Sequence, residues 1–234
     1  VTGAAAIPSL DNRRPIRSRQ SGWARAGAAW LARRGVSPDR ISAGAVGFGV
    51  VGAAAFILGG SGHGPTRAAA FALAALAIQG RLVCNLLDGM VAVEHGRGGP
   101  CGPIWNELPD RIADILLLGG AGYGAALAGS AFAVDAGWAA ALLAVLTAYV
   151  RELGRGLGAP ADFGGPGAKP QRMALLTAAA LVSAFEPLWN GRGQVLGAAL
   201  ALIAVLAGLT AALRTRRLAS VLSKHPHANP LTES

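Results

Sequence analysis

Residues 41–60 read ISAGAVGFGVVGAAAFILGG, twenty positions without a charged side chain. At about 1.5 Å of rise per residue, such a run covers the ~30 Å hydrocarbon core of a bilayer. Comparable runs follow near Ala68–Ala92, Ile112–Ala131, Phe132–Val150, Met173–Trp189 and Gln194–Leu213, which makes six spans with both termini on one side. No stretch alternates polar and apolar residues as a strand would. Composition agrees: of 234 residues, 53% are hydrophobic and 14% charged, with mean hydropathy +0.44. Disorder, a coiled coil and an ordinary soluble enzyme are excluded on those figures. Aromatics make up only 6%, and the apolar share comes mainly from Ala, Leu, Val and Gly, small residues that suit close helix packing in lipid. The expected fold is an all-α polytopic membrane protein.

Working outward, residues 1–40 form an N-terminal arm, residues 41–213 the six-helix domain, and residues 214–234 a basic tail. The arm lacks the long apolar core of a secretory signal. Within it, Pro15–Gly35 alternates Arg with Trp23, Trp30, Leu31 and Ala, as an amphipathic helix lying in the membrane interface would. Net charge is +9 and the isoelectric point near 11.1, but the basic residues are not spread evenly. Of 21 Lys and Arg, 18 fall on the side of the termini, Arg67 and Arg192 on the other, and Arg81 inside the second span. The positive-inside rule therefore places both termini in the cytoplasm, in an integral protein of the cytoplasmic (inner) membrane. The charge reports topology and attraction to anionic lipid; no nucleic-acid partner is expected. Cys84 and Cys101 give neither a disulfide framework nor a zinc spacing.

Ionisable groups inside apolar spans are costly and mark function by default. They concentrate in residues 81–114, RLVCNLLDGMVAVEHGRGGPCGPIWNELPDRIAD. Asn85 and Asp88 share a helix face, with Gly89 and Ala92 as small neighbours that let a ligand approach the backbone. Asn106, Asp110 and Asp114 repeat at four-residue spacing along one face of the third span. Two such helices facing each other would present several oxygen ligands at one depth, as Mg²⁺ or Mn²⁺ requires. The loop Glu94–Pro103 is rich in Gly and carries His95 and Arg97, a composition able to wrap a phosphate-bearing ligand.

This stretch resembles the signature of the CDP-alcohol phosphotransferase family, D-x2-D-G-x2-A-R, about eight residues, then G-x3-D-x3-D. The chain offers Asn85-x2-Asp88-Gly89-x2-Ala92-Val93, eight residues, then Gly102-x3-Asn106-x3-Asp110. Family members are also built from six transmembrane helices after a short amphipathic helix, and Gly35-Val36-Ser37-Pro38 looks like their lead-in to the first span. Three positions depart: Asn85 replaces the first Asp, Val93 the Arg, and Asn106 the third Asp. A second register, with Asp110 and Asp114 as the closing pair and Asn106 at the glycine position, keeps more carboxylates and is the preferred one. In the family-spacing register Asp110 is the last carboxylate and Asp114 a bystander.

The resemblance implies an integral membrane transferase. It would move a phosphatidyl-type group from a CDP-linked lipid donor, such as CDP-diacylglycerol, to an alcohol or phosphorylated alcohol, releasing CMP. It further implies one or two Mg²⁺ or Mn²⁺ ions and a homodimer. Carried over residue by residue, Asn85, Asp88, Asp110 and Asp114 are metal ligands, with Asp110 and Asp114 catalytic and Asp114 the general base. Gly89, Ala92, Arg97, Gly102 and Asn106 line the CDP side, and Arg151, Arg155, Lys169 and Arg172 hold the acceptor's phosphate. The bland readings are an Asp110–Asp114 helix start, an Arg81–Asp88 ion pair and ordinary positive-inside charge in the loop after span four. Alternative functions are a catalytically impaired relative that binds lipid or nucleotide, and a UbiA-like prenyltransferase.

Overall fold

The computed structural model describes residues 17–96 and 101–224. Among them the chain forms seven α-helices and no strand: α1 (Gly22–Arg33), α2 (Pro38–Ser61), α3 (Gly64–Glu94), α4 (Gly102–Leu127), α5 (Ala133–Gly156), α6 (Lys169–Ser183) and α7 (Gln194–Lys224). Short 3₁₀ turns occupy Arg17–Gln20 and Glu186–Trp189. Four helices, α2, α3, α5 and α7, are long and apolar enough to cross a membrane. The expected third span becomes α4, whose first half carries Glu107, Asp110, Arg111 and Asp114. The expected fifth span, Met173–Trp189, is not one helix: α6 stops at Ser183 and the chain tightens into the 3₁₀ turn holding Pro187. Pro187 has no N–H to offer the Ser183 carbonyl, which accepts from Arg67 instead.

Local chemistry sets the helix ends. Gly35 takes φ +73° after α1, a left-handed conformation glycine adopts without steric penalty. Ser37 then caps α2, its hydroxyl accepting from the Arg40 N–H at 3.4 Å, with Pro38 at the first helical position and Asp39 in the first turn. Helix α1 is shorter than the expected Pro15–Gly35. It buries Ala24 and Ala28 against Leu86, Met90 and Val91 of α3 and leaves Trp23 and Trp30 about half exposed.

α2 packs between α3 and α4, and α5 between α4 and α7, while α6 bridges α3 and α7. The main core runs through α2 to α7, with Phe56, Phe71, Ile78, Leu117, Leu118, Met173, Leu176 and Leu200 fully inside. Glycines close the α2–α4 seam: a Cβ on Gly120 would lie 2.6 Å from the Cα of Ala53, and one on Gly60 or Gly124 would strike the opposite backbone. At one end of the bundle Arg67 pairs with Glu186 at 2.9 Å and donates to the Ser183 carbonyl. Glu186 also accepts from the N–H groups of Gly193 and Val195, so this buried group ties α3, α6 and α7 together. The opposite end carries the signature residues.

Candidate active site

Three helices build the site. On α3, Arg81, Asn85 and Asp88 fall at i, i+4 and i+7, one face of a 3.6-residue helix. On α4, Asp110 and Asp114 stack one turn apart. The start of α6 adds Lys169 and Arg172.

Asp110 is the hub. Lys169 Nζ donates to both its carboxylate oxygens, at 2.7 and 2.6 Å. Arg81 donates to its Oδ1 at 3.2 Å and to its main-chain carbonyl at 3.0 Å, and Arg111 donates to its Oδ2 at 3.0 Å. The Asn85 amide donates to Oδ1 at 2.5 Å. The side chains of Asp110, Arg111 and Lys169 stay 13%, 16% and 19% exposed, so this layer opens outward.

Asp114 lies deeper and is fully buried. Arg81 reaches its Oδ1 at 2.7 Å and Arg172 its Oδ2 at 3.0 Å. Arg172 also donates to the Gly167 carbonyl at 2.7 Å, and Arg81 to the sulfur of Met173 at 3.1 Å. The α4 carboxylate in contact with Asn85 is therefore Asp110, and Asp114 forms a double ion pair beneath it. Arg81 pairs with these two aspartates, which corrects the reading of an Arg81–Asp88 pair.

Asp88 is buried, and its Oδ2 accepts from Ser42 Oγ at 2.7 Å. Its Oδ1 is buried with no hydrogen-bond partner, and no ion pair reaches the carboxylate, among the described residues. It stands close enough to Asp110 for the two charges to interact. Ser42 was not legible as a site residue; its only signal is its place in the first turns of a span that begins at the same membrane face.

The remaining sequence candidates scatter. Gly89, Ala92 and Gly102 are half-buried, and a Cβ on Gly102 would meet open space. Asn106 is exposed and touches Glu107 at 3.4 Å, away from the hub. Arg97 lies outside the described residues. Of the four cations assigned to the acceptor, Lys169 faces the hub and Arg172 is buried below it. Arg151 reaches Glu107 at 2.5 Å and lies 5.3 Å over the Phe163 ring, while Arg155 pairs with Glu152 on the surface. Glu107 links Arg151 to Arg111 of the α4 layer.

A divalent cation would find a thin cage here. Among the described residues no group of three His, Cys, Asp or Glu side chains is placed to hold a metal. The nearest oxygen donors are the Asp110 carboxylate with the Asn85 amide against it, and the Asp88 carboxylate on the same face of α3 as Asn85. Their oxygen chemistry fits one hard cation, and an ammonium already rests on Asp110 as its stand-in.

No protein-family model matches the chain, and no curated protein matches it. Solved structures do. The chain resembles the phosphatidylinositol phosphate synthase of Mycobacterium tuberculosis in three states. With CDP-DAG bound, the TM-score is 0.70 at 22% identity, covering 85% of this chain and 94% of that one. In complex with manganese and citrate it is 0.69 at 22%, covering 84% and 89%, and in the apo form 0.64 at 21%, covering 87% and 97%. At this identity the likeness shows that the chain shares the fold of that synthase.

Proposed function

We propose that the chain is an integral membrane transferase of the CDP-alcohol phosphotransferase family. It moves a substituted phosphate group from a CDP-linked lipid to an alcohol and releases CMP. The observation that carries this reading is the contact of Asn85 on α3 with Asp110 on α4, with the buried Asp88 one turn from Asn85, in a fold shared with a synthase solved with CDP-DAG bound. α4 and α6 complete six spans, both termini face the cytoplasm, and the resemblance adds a homodimer.

The transfer breaks the bond between the lipid-bearing phosphorus and the CMP oxygen and forms one to the acceptor oxygen, whose proton must leave. Asp110 is assigned as its acceptor, because it alone of the three aspartates is both at the hub and partly open. This favours the family-spacing register. Asp114, locked between two guanidinium groups, positions Arg81 and Arg172. Asp88 and Asn85 offer oxygens to a cation that would lie between them and the donor's diphosphate, and Lys169 and Arg111 neutralise its charge. Gly89, Ala92 and Gly102 leave the room that a nucleotide needs beside them. A divalent ion, where bound by Asn85, Asp88 and Asp110, would screen the diphosphate and favour departure of CMP.

The test is CMP release by the purified protein from CDP-diacylglycerol with Mg²⁺ or Mn²⁺ and a panel of alcohols and sugar phosphates. Release with at least one acceptor is expected. Asp110→Asn should lower it at least ~100-fold, the usual scale of general-base loss, with the melting profile kept. A second reading, a non-catalytic CDP-lipid binder, is favoured by the pairing of both Asp110 oxygens; saturable CDP-diacylglycerol binding without CMP release under any acceptor would select it.

A further inference from the structure

The resemblance places an acid at position 85 and leaves the aspartates to share metal. Here position 85 is an amide whose contact with Asp110 is a hydrogen bond at 2.5 Å, stable without any ion. A carboxylate at 85 would be repelled by Asp110 unless a cation lay between them. A cation already occupies that carboxylate: Lys169 puts its ammonium on both Asp110 oxygens, at 2.7 and 2.6 Å.

Resting on the proposed function for the identity of the natural ion, we propose that Lys169 is a built-in competitor of the divalent metal at Asp110. The site accepts a single ion, and accepts it only as Lys169 withdraws. Three features support the exchange. The other cations are held by more than Asp110: Arg81 is enclosed between Asp110, Asp114 and Met173, Arg172 between Asp114 and the Gly167 carbonyl, and Arg111 reaches Glu107 at 3.9 Å as well as Asp110. Lys169 can, since it is the first residue of α6, its only ion pair among the described residues is Asp110, and its side chain is 19% exposed on a flexible four-carbon stem. Asp88, which holds no cation among the described residues, supplies the second carboxylate once an ion arrives.

The experiment titrates Mn²⁺ alone into the full chain in detergent or nanodiscs, reading the free-ion electron paramagnetic resonance signal, with no lipid present. Wild type should bind one Mn²⁺ weakly. Lys169→Gln should bind it at least tenfold more tightly, Lys169→Arg should stay weak, and adding Asp110→Asn to Lys169→Gln should remove the gain. Asn85→Asp leaves Lys169 in place and should also tighten Mn²⁺, which keeps a reading if Lys169→Gln does not fold. Unchanged or weaker binding in Lys169→Gln, in Asn85→Asp where the former does not fold, or two tight ions in wild type, overturns the proposal. Absence of CDP-diacylglycerol binding, measured separately, would remove the transferase and leave the Mn²⁺ competition standing.

Discussion

Asp114 and Asp110 sit one turn apart on the same helix and do different work because of depth. Asp114 is enclosed, and its charge is tolerable only because Arg81 and Arg172 meet it at 2.7 and 3.0 Å. Removing one partner of such a cluster leaves uncompensated buried charge, at a cost of about 3–5 kcal/mol. Asp114→Ala should therefore lower the thermal midpoint sharply, read by melting in detergent, whereas Asp110→Asn should spare it; equal melting of the two would show that depth does not separate their roles. The sequence made both visible, since four-residue spacing puts them on one face. It could not rank them, because the deciding partner, Arg172, lies 58 residues further on, and only packing of α6 against α3 brings it there. Ser42, which holds Asp88 from α2, was hidden for the same reason.

Among elements, the α2–α4 contact is one that side-chain size controls. Apolar burial gives little drive between helices in lipid, so close backbone approach carries the association. Gly60 and Gly124 face each other so tightly that a Cβ on either would enter the other helix's main chain, and Gly120 has only 2.6 Å to Ala53. Because backbone cannot yield as a side-chain tip can, Gly124→Val should separate α2 from α4, tilt Asp110 away from Asn85 and abolish monodisperse folded protein on size exclusion. Gly47→Val, where a Cβ meets nothing within 4 Å, is the control that should behave as wild type. Abundant small residues were legible in the composition; which of them touch was not, because hydropathy has no term for complementarity between two helices. The same blindness merged α6 with the turn after it, where Pro187 and the buried Arg67–Glu186 pair end the helix.

For the whole molecule, the up-and-down order of helices puts the α3–α4 connection, the α5–α6 connection and the end of α7 on the face that holds the site. Those are the segments where the sequence concentrates its Arg and Lys, while on the other face Arg67 is spent on Glu186 inside the bundle. Hydropathy thus sufficed for the order of the helices, being a sum over many residues, whereas the site depended on single contacts. The orientation has a direct reading in Cys101, which is exposed beside the start of α4. In a Cys84→Ser background a membrane-impermeant maleimide should label Cys101 in inside-out vesicles and not in intact cells. A lone cysteine at Ser61, exposed at the far end of α2, should show the reverse pattern. Labelling of Cys101 from outside would put the aspartates in the wrong compartment for a CDP-linked donor made in the cytoplasm, and the transferase reading would have to be abandoned with the topology.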